Sequence, residues 1–521
     1  MLTPNAIDLG TLSAEEDKYF AQHFIETKYL RRITSYDSDI IYGAKGVGKT
    51  ALRRALTEFN TENYLNTITI DLGNISFEGV HHRLSALTSM SYTEITTLAR
   101  TTWLNIILSY GLLSFVDTLD KGSDLKRRIV EILNEDGFVD KANVSSSPDS
   151  YLQILNTIEN IFHKIVSAPV YKEKTLTNVT PEQQHIISQF PVNKNMTGVL
   201  SESIACIKRT KKKVLVCLDG FDSIVDHSKE SRRTILAGLI DAIFKIRLNH
   251  EISEAFCFKA FLPHELTADA KATAWDSDKH ANNIHYLGWH EEDFKIFLEK
   301  RLSIYSKKRS TKFNDIWNEF MPEKVMNSVH NVEENTFEYI LRHTLYRPRQ
   351  ILSHVQNIFK LWNEQTSGPD KVPPSFIPQV IAKNNILMAD KVADQLSLIY
   401  PNIVSFLKSW QGSPMIIESS KFRDKIRRVF KDLDFSEVDK IFDDLFDFGI
   451  FGVYSRLPKD NNTKRIKYRF SFVGDDLSTH IHNSIEDSDL LAFSPMFREY
   501  CGCLATTDGI IFPVALNNFE A

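Results

Sequence analysis

An α/β fold built on a parallel sheet is predicted by two stretches of this sequence. Gly43-Ala-Lys-Gly-Val-Gly-Lys-Thr50 has the spacing G-x-x-x-x-G-K-[ST]. It lies between a β-rich run, Ser38–Tyr42, and a helical stripe of Leu52, Ala55, Leu56 and Phe59 at i, i+3, i+4 and i+7. Strand, loop and helix in that order are the context that makes the motif a phosphate-binding loop. The second stretch, Val214–Leu218, is an unbroken apolar run of the kind buried in a parallel sheet, and it ends in Asp219. Open α/β sheets place their ligand chemistry at that carboxyl end.

The residue types in the loop follow from its task. Gly43, Gly46 and Gly48 let the backbone turn tightly and aim N–H groups at an anion. Lys49 reaches the outer phosphates, and the Thr50 hydroxyl can hold a magnesium ion. The helix opened by the loop favours negative charge at its N-terminus. The candidate nucleotide-binding residues are therefore Gly43, Ala44, Lys45, Gly46, Val47, Gly48, Lys49, Thr50 and Ala51.

A phosphate-binding loop needs a carboxylate for the metal shell and a group that positions the attacking water. Asp219 is assigned to Mg²⁺ together with Thr50. Asp222, three residues further on, is assigned to water activation; the competing reading has it capping the next helix through Ser223. The guanine-reading Asn-Lys-x-Asp is absent, since Asn193-Lys194-Asn195-Met196 lacks the Asp. No Leu-Ser-Gly-Gly-Gln signature occurs either. ATP is the expected nucleotide and Mg-dependent ATP hydrolysis the expected reaction.

The strand ending Asp219-Gly-Phe-Asp222 resembles the Walker B element of bacterial STAND/AAA+-like P-loop ATPases. The AAA+ pattern sets Asp and Glu side by side, whereas Gly220 follows Asp219 here. Ala255–Leu262 stands in the place of the sensor-1 strand, but Pro263-His264-Glu265 lacks the Arg that some of those families carry. Trp289–Leu302 resembles their first lid helix, and Tyr346-Arg-Pro-Arg-Gln-Ile-Leu352 their lid motif, which implies Arg349 as a nucleotide-sensing residue. On the residues alone, Pro348 suits the first turn of a helix and leaves Arg349 near its N-terminus. The resemblance covers roughly residues 20–365 and implies an α/β P-loop NTPase core with a helical lid; the residue pattern adds a helical insertion within the core and, beyond residue 375, a C-terminal winged-helix domain.

The expected organisation is an N-terminal segment with the loop part of the core (1–75), a helical insertion (76–207), the rest of the core with Walker B (208–288), a lid (289–367), a winged helix (376–485) and a C-terminal tail (486–521). Gly368–Pro374 reads as the linker before the winged helix. Helices are expected over Asp394–Trp410, Ser420–Phe430 and a stripe from Val438 to Phe446 closed by Gly449. Strands are expected over Phe451–Leu457 and Ile466–Phe472, around a wing at Pro458–Thr463. The third of these helices would read a DNA groove, yet Asp432–Asp447 carries seven acidic residues and one lysine. The wing is basic, with Arg456, Lys459, Lys464, Arg465, Lys467 and Arg469.

Composition narrows the partners. The 521 residues are 42% hydrophobic and 25% charged with net charge −5, so a polyanion would be met only by a local patch. Lys208–Lys213 is the clearest basic run, read as a solvated approach to the strand. Five cysteines form no disulfide framework, and Cys501-Gly-Cys503 is read as incidental. The N-terminus lacks the n- and h-regions of a signal peptide. The longest apolar run, between Arg100 and Asp117, is too short for a membrane span and reads as a buried helix. The expectation is a cytoplasmic ATP-driven switch that regulates a protein effector or co-encoded partner, with no membrane partner; the resemblance to STAND/AAA+-like ATPases implies the antiphage-defence or stress-switch type. The alternative is an origin-recognition-like DNA-binding AAA+ ATPase. Whether the chain forms a homo-oligomer or binds nucleic acid is left open by the sequence.

Overall fold

The computed structural model describes residues 7–27, 33–34, 39–59, 61–72, 92–135, 194–221, 229–266, 283–306, 312–365, 371–431, 433–455, 464–473, 485–506 and 509–515. They fall into two compact units. One comprises residues 28–45 and 49–285, and the other residues 1–27, 46–48 and 286–521.

The first unit is built on the strands β1 (Asp39–Gly43), β2 (Tyr64–Asp71), β3 (Lys213–Asp219), β4 (Phe256–Pro263) and β5 (Ile284–Tyr286), in the order β2-β3-β4-β1-β5. The pairs β2–β3, β3–β4 and β1–β4 are parallel. β1, β4 and nearly all of β3 are buried, as their apolar runs require. After the loop comes α1 (Lys49–Glu58), which buries Leu52, Ala55 and Leu56. Phe59, expected on the same stripe, lies beyond the helix and is 42% exposed.

The apolar run before Asp117 forms α2 (Tyr92–Val116), buried on nearly every face over residues 101–116. It packs on β2 and β3. Asn66 on β2 donates to the Ser114 carbonyl at 2.8 Å, and Trp103 donates to Ile235 O at 3.1 Å. This part of the expected insertion therefore covers the core sheet. α3 (Asp124–Glu135), α4 (Lys194–Arg209), α5 (Lys229–Leu248) and α6 (His250–Ala255) complete the unit. No helix among the described residues is long and apolar enough to cross a membrane.

The second unit begins with residues 7–27 and continues through α7 (Glu291–Ser303), α8 (Phe313–Phe320), the hairpin β6 (Lys324–Asn327) and β7 (Val332–Asn335), α9 (Thr336–Arg342), α10 (Pro348–Gln365) and α11 (Phe376–Ser397). Then follow α12 (Ile403–Lys408), β8 (Ile416–Glu418), α13 (Ser419–Val429), α14 (Phe435–Asp447), β9 (Phe451–Tyr454), β10 (Arg465–Arg469), β11 (Leu490–Phe493) and β12 (Ile510–Val514). The helix expected over 394–410 is two helices: α11 ends at Ser397 and α12 starts at Ile403, with Pro401 in the gap. α13 and α14 form near their expected positions. α14 opens with a capping box, Glu437 N–H to Asp434 Oδ1 at 2.8 Å and Asp434 N–H to Glu437 Oε2 at 3.0 Å. It closes at Gly449, whose φ of +77° leaves no room for a side chain against the Phe472 ring.

β9 and β10 pair antiparallel, while the expected wing between them lies outside the described residues. The segment 486–521, expected as a tail, supplies β11 and β12 to a sheet of order β12-β10-β9-β11-β8. One hydrophobic core runs from Leu9 through Phe294, Phe376 and Phe442 to Ile511. Residues expected as lid and as winged helix share it, and α10 packs on α11 with Asn357 donating to Asn384 Oδ1 at 2.8 Å. Of the expected linker, 371–374 is described and 366–370 is not.

Two buried histidines in this unit make its stability pH-dependent. His354 Nε2–H donates to His343 O at 3.2 Å, and His354 Nδ1 accepts from Asn384 Nδ2 at 2.9 Å. Asn384 Oδ1 already accepts from Asn357, so the amide has no oxygen to offer a protonated Nδ1. Burial pulls His354 down to about 4. Burial, then the Arg342 charge, holds His343 well below the usual value. Folded pKa values below the unfolded ~6.5 mean that the unfolded chain binds more protons, so stability is lost as pH falls through that value. The expected loss from His354 between pH 7 and pH 5 is about 2 kcal/mol, with His343 adding to it. Urea unfolding of this unit at the two pH values measures it, and equal stability would contradict the buried neutral histidines.

Candidate phosphate-binding site

The phosphate loop leaves β1 at Gly43 and enters α1 at Lys49. Gly46 and Gly48 take φ of +86° and +108°, conformations costly for any residue with a Cβ. Ala44 is half-buried, Lys45 exposed and Val47 buried, and Ala51 continues α1. Lys49 is only 8% exposed, and its Nζ donates to the Gly43 carbonyl at 2.8 Å, folded back along the loop. A cation in the first turn of a helix opposes the helix dipole, so this lysine weakens the bare fold and answers to an anion.

Asp219 ends β3, with its carboxylate turned toward α1. Thr50 Oγ1 lies 3.4 Å from Asp219 Oδ2, which brings the two expected metal-site residues together. The other oxygen, Oδ1, accepts from Gly220 N–H at 2.9 Å. A hydroxyl and a carboxylate oxygen facing each other at this range are the hard donors a magnesium shell uses, so these residues fit the ion. The positive-φ glycines, Lys49 and the start of α1 likewise fit a polyphosphate. Asp222 lies outside the described residues.

Sequence reasoning missed Arg53. Its Nε donates to Asp219 Oδ2 at 2.9 Å and its Nη1 lies 3.4 Å from Thr69 Oγ1 on β2. The available signal was helical spacing: Arg53 follows Lys49 by four residues and Thr50 by three, so all three share a face of α1.

The loop tip, Gly46–Gly48, groups with the second unit. There Trp289 Nε1–H donates to Val47 O at 2.8 Å, a contact the sequence does not announce. The Arg349 backbone N–H reaches Gly46 O at 3.4 Å, and a Cβ on Gly46 would stand 3.2 Å from the Arg349 Cβ. Arg349 thus lies against the loop tip at Gly46. Its Nε, however, donates to Leu12 O at 3.1 Å in the N-terminal segment. That segment is held further by Arg301, whose Nε and Nη1 donate to Leu9 O and His23 O at 3.1 and 2.9 Å. In the sensor-1 position β4 ends at Pro263 and a 3-10 turn, His264–Leu266, follows.

Comparison with known proteins gives matches over two parts of the chain. Residues 9–228, which contain the loop, Arg53 and Asp219, match the ORC-CDC6-like family model. Residues 292–377 match the model of the FunZ-associated C-terminal helical domain. No curated protein matches the sequence. Two structures of the Aeropyrum pernix ORC2 protein are loosely similar. The one with ADPNP and ADP has 9% identity, covers 91% of this chain and 90% of its own, and has a TM-score of 0.36. The ADP form has 10% identity, covers 94% and 92%, and has a TM-score of 0.32. Likenesses this loose carry no argument. Residues 9–228, about two-fifths of the chain, are thus similar to the ORC-CDC6-like family, and the parallel sheet and glycine loop within them make an α/β P-loop core.

Proposed function

We propose that this chain is an ATP-operated switch of the origin-recognition type, in which nucleotide state governs contact with duplex DNA. The observation that carries the reading is the ORC-CDC6-like match over 9–228, since it spans both halves of the site that Thr50 and Asp219 form at 3.4 Å. It favours the DNA-binding alternative over the effector switch expected first.

When bound, ATP supplies the phosphoryl group to be transferred to water, and Mg²⁺ offsets charge on its oxygens. The loop N–H groups of residues 44–51 would cradle the phosphates and Lys49 would offset their charge, while Thr50 and Asp219 would hold the metal. Asp222 is assigned to orienting the attacking water and Arg349 to sensing the nucleotide.

In this reading β8, α13, α14, β9 and β10 form a winged-helix domain. Its DNA contact falls to the wing, because α14 carries Glu437, Asp439, Asp443, Asp444 and Asp447 and would be repelled from a groove. Not every wing cation is available: Arg465 pairs with Glu338, and Lys464 donates to His330 O at 3.1 Å. Of the other four, Arg456, Lys459 and Lys467 are taken as the contacts and Arg469 is set aside, and three phosphate contacts give a salt slope of about −3.

A duplex titration at two salt concentrations, with ATP and with ADP, tests this. The expected result is nucleotide-dependent binding whose salt slope collapses when Arg456, Lys459 and Lys467 are reversed to Glu. Absence of duplex binding at low salt in either state would favour the second reading. That reading is a cytoplasmic switch acting on a protein partner, as in bacterial antiphage defence, and the acidic face of α14 is the observation behind it.

A further inference from the structure

Arg53 occupies the place in the phosphate site where a divalent cation would find its negative charge. Arg53 and Asp219 are 17% and 12% exposed, which shields their pairing from bulk water. The guanidinium shares Asp219 Oδ2 with the Thr50 hydroxyl, so both donors meet on one carboxylate oxygen. Oδ1 is turned to Gly220 N–H. Arg53 is itself steadied by Thr69 Oγ1, so one side chain links α1, β2 and β3.

We propose that Arg53 is a positioning residue that keeps Asp219 aimed at Thr50 and cancels its charge, so that Mg²⁺ enters only together with nucleotide phosphates. The inference rests on the nucleotide-switch reading. A lone carboxylate and a hydroxyl would attract a divalent cation weakly, and a guanidinium on the same oxygen removes the remaining net charge. The ion then needs oxygens from the nucleotide to bind at all. Mg²⁺ takes most of its octahedral shell from water and phosphate, so one protein carboxylate decides little alone and much in concert with phosphates. The pair also fixes the Asp219 rotamer before any ligand arrives, which spares that ordering cost on binding.

Mn²⁺ serves as the probe, its binding followed by electron paramagnetic resonance, with and without ADP. Wild-type protein should bind Mn²⁺ at least about a hundredfold more tightly with ADP than without it. Arg53→Gln and Arg53→Met should bind Mn²⁺ without nucleotide about tenfold more tightly than wild type. Arg53→Lys, which keeps the charge, should return to wild-type behaviour. A merely structural arginine would lower the unfolding temperature in all three variants and leave the Mn²⁺ affinity alone.

Micromolar Mn²⁺ binding by nucleotide-free wild type overturns the proposal even if neither neutral variant folds. So does equal nucleotide-free Mn²⁺ affinity in wild type and a folded neutral variant. Failure of wild type to bind ADP or ATP under any metal condition would instead remove the nucleotide-switch reading on which the inference stands.

Discussion

Lys49→Ala is expected to weaken ATP and ADP binding by about ten- to a hundredfold while leaving the unfolding midpoint unchanged or slightly raised. The two halves of this result have different physical origins. Hydrogen bonds to a charged group are worth about 1.5–3 kcal/mol, and that amount corresponds to the stated loss of affinity. Stability behaves otherwise because Lys49 is the first residue of α1, where a positive charge faces the positive end of the helix dipole. Without ligand its Nζ settles on the Gly43 carbonyl at 2.8 Å. A lysine retained for the fold would not be placed there, and its removal relieves the unfavourable charge. Calorimetric titration with each nucleotide, paired with thermal unfolding of the same preparations, checks both halves. Nucleotide affinity equal to wild type would sink the phosphate-loop assignment. A lost fold would mean that Lys49 serves the core.

What could be read from the sequence was what local chemistry dictates. The Gly43–Thr50 spacing and the apolar run ending at Asp219 are each contained in a few consecutive residues, and the structure sets Thr50 Oγ1 3.4 Å from Asp219 Oδ2. α14 was legible for the same reason, since its stripe, cap and closing glycine lie within sixteen residues, Asp434 to Gly449. Arg53 was within reach of helical spacing but carries no motif. Trp289 and Val47 meet across more than two hundred residues, and no local pattern encodes that. β11 and β12 were missed because four- and five-residue apolar runs are ambiguous until a partner strand is known. Their partners β9 and β10 lie tens of residues upstream. The separation of lid from winged helix rested on a Pro-rich segment, yet one core joins the residues on both sides of it.

Lys259→Met is expected to destabilise the first unit by about 3–5 kcal/mol, the cost of leaving one member of a buried ion pair without its partner. Lys259 lies in the middle of β4 with no exposed surface and pairs with Asp39 at the start of β1, in the register that aligns the two strands. Asn283 donates to the other oxygen, Asp39 Oδ1, at 3.1 Å, and His285 Nε2 lies 3.5 Å from it. Burial alone would push the Asp39 carboxyl up. Hydrogen bonding from His285 and the charge and hydrogen bond of Lys259 outweigh this and hold it below the usual value. A carboxyl depressed in the folded state contributes stability above its unfolded pKa of ~3.9, and that contribution is lost as pH falls through the folded value. At neutral pH the single substitution strips away the cation and leaves a buried carboxylate with Asn283 and His285 only. Replacing both members, with Asp39→Leu added to Lys259→Met, removes the charge to be solvated and should recover most of the loss. Denaturant unfolding of the two single variants and the double variant forms the cycle that measures the coupling. A double variant as unstable as the sum of the singles would show that the two side chains act independently. Recovery would mean that the pair secures the β1–β4 register, and with it the strand that delivers the phosphate loop, more than it adds to net stability.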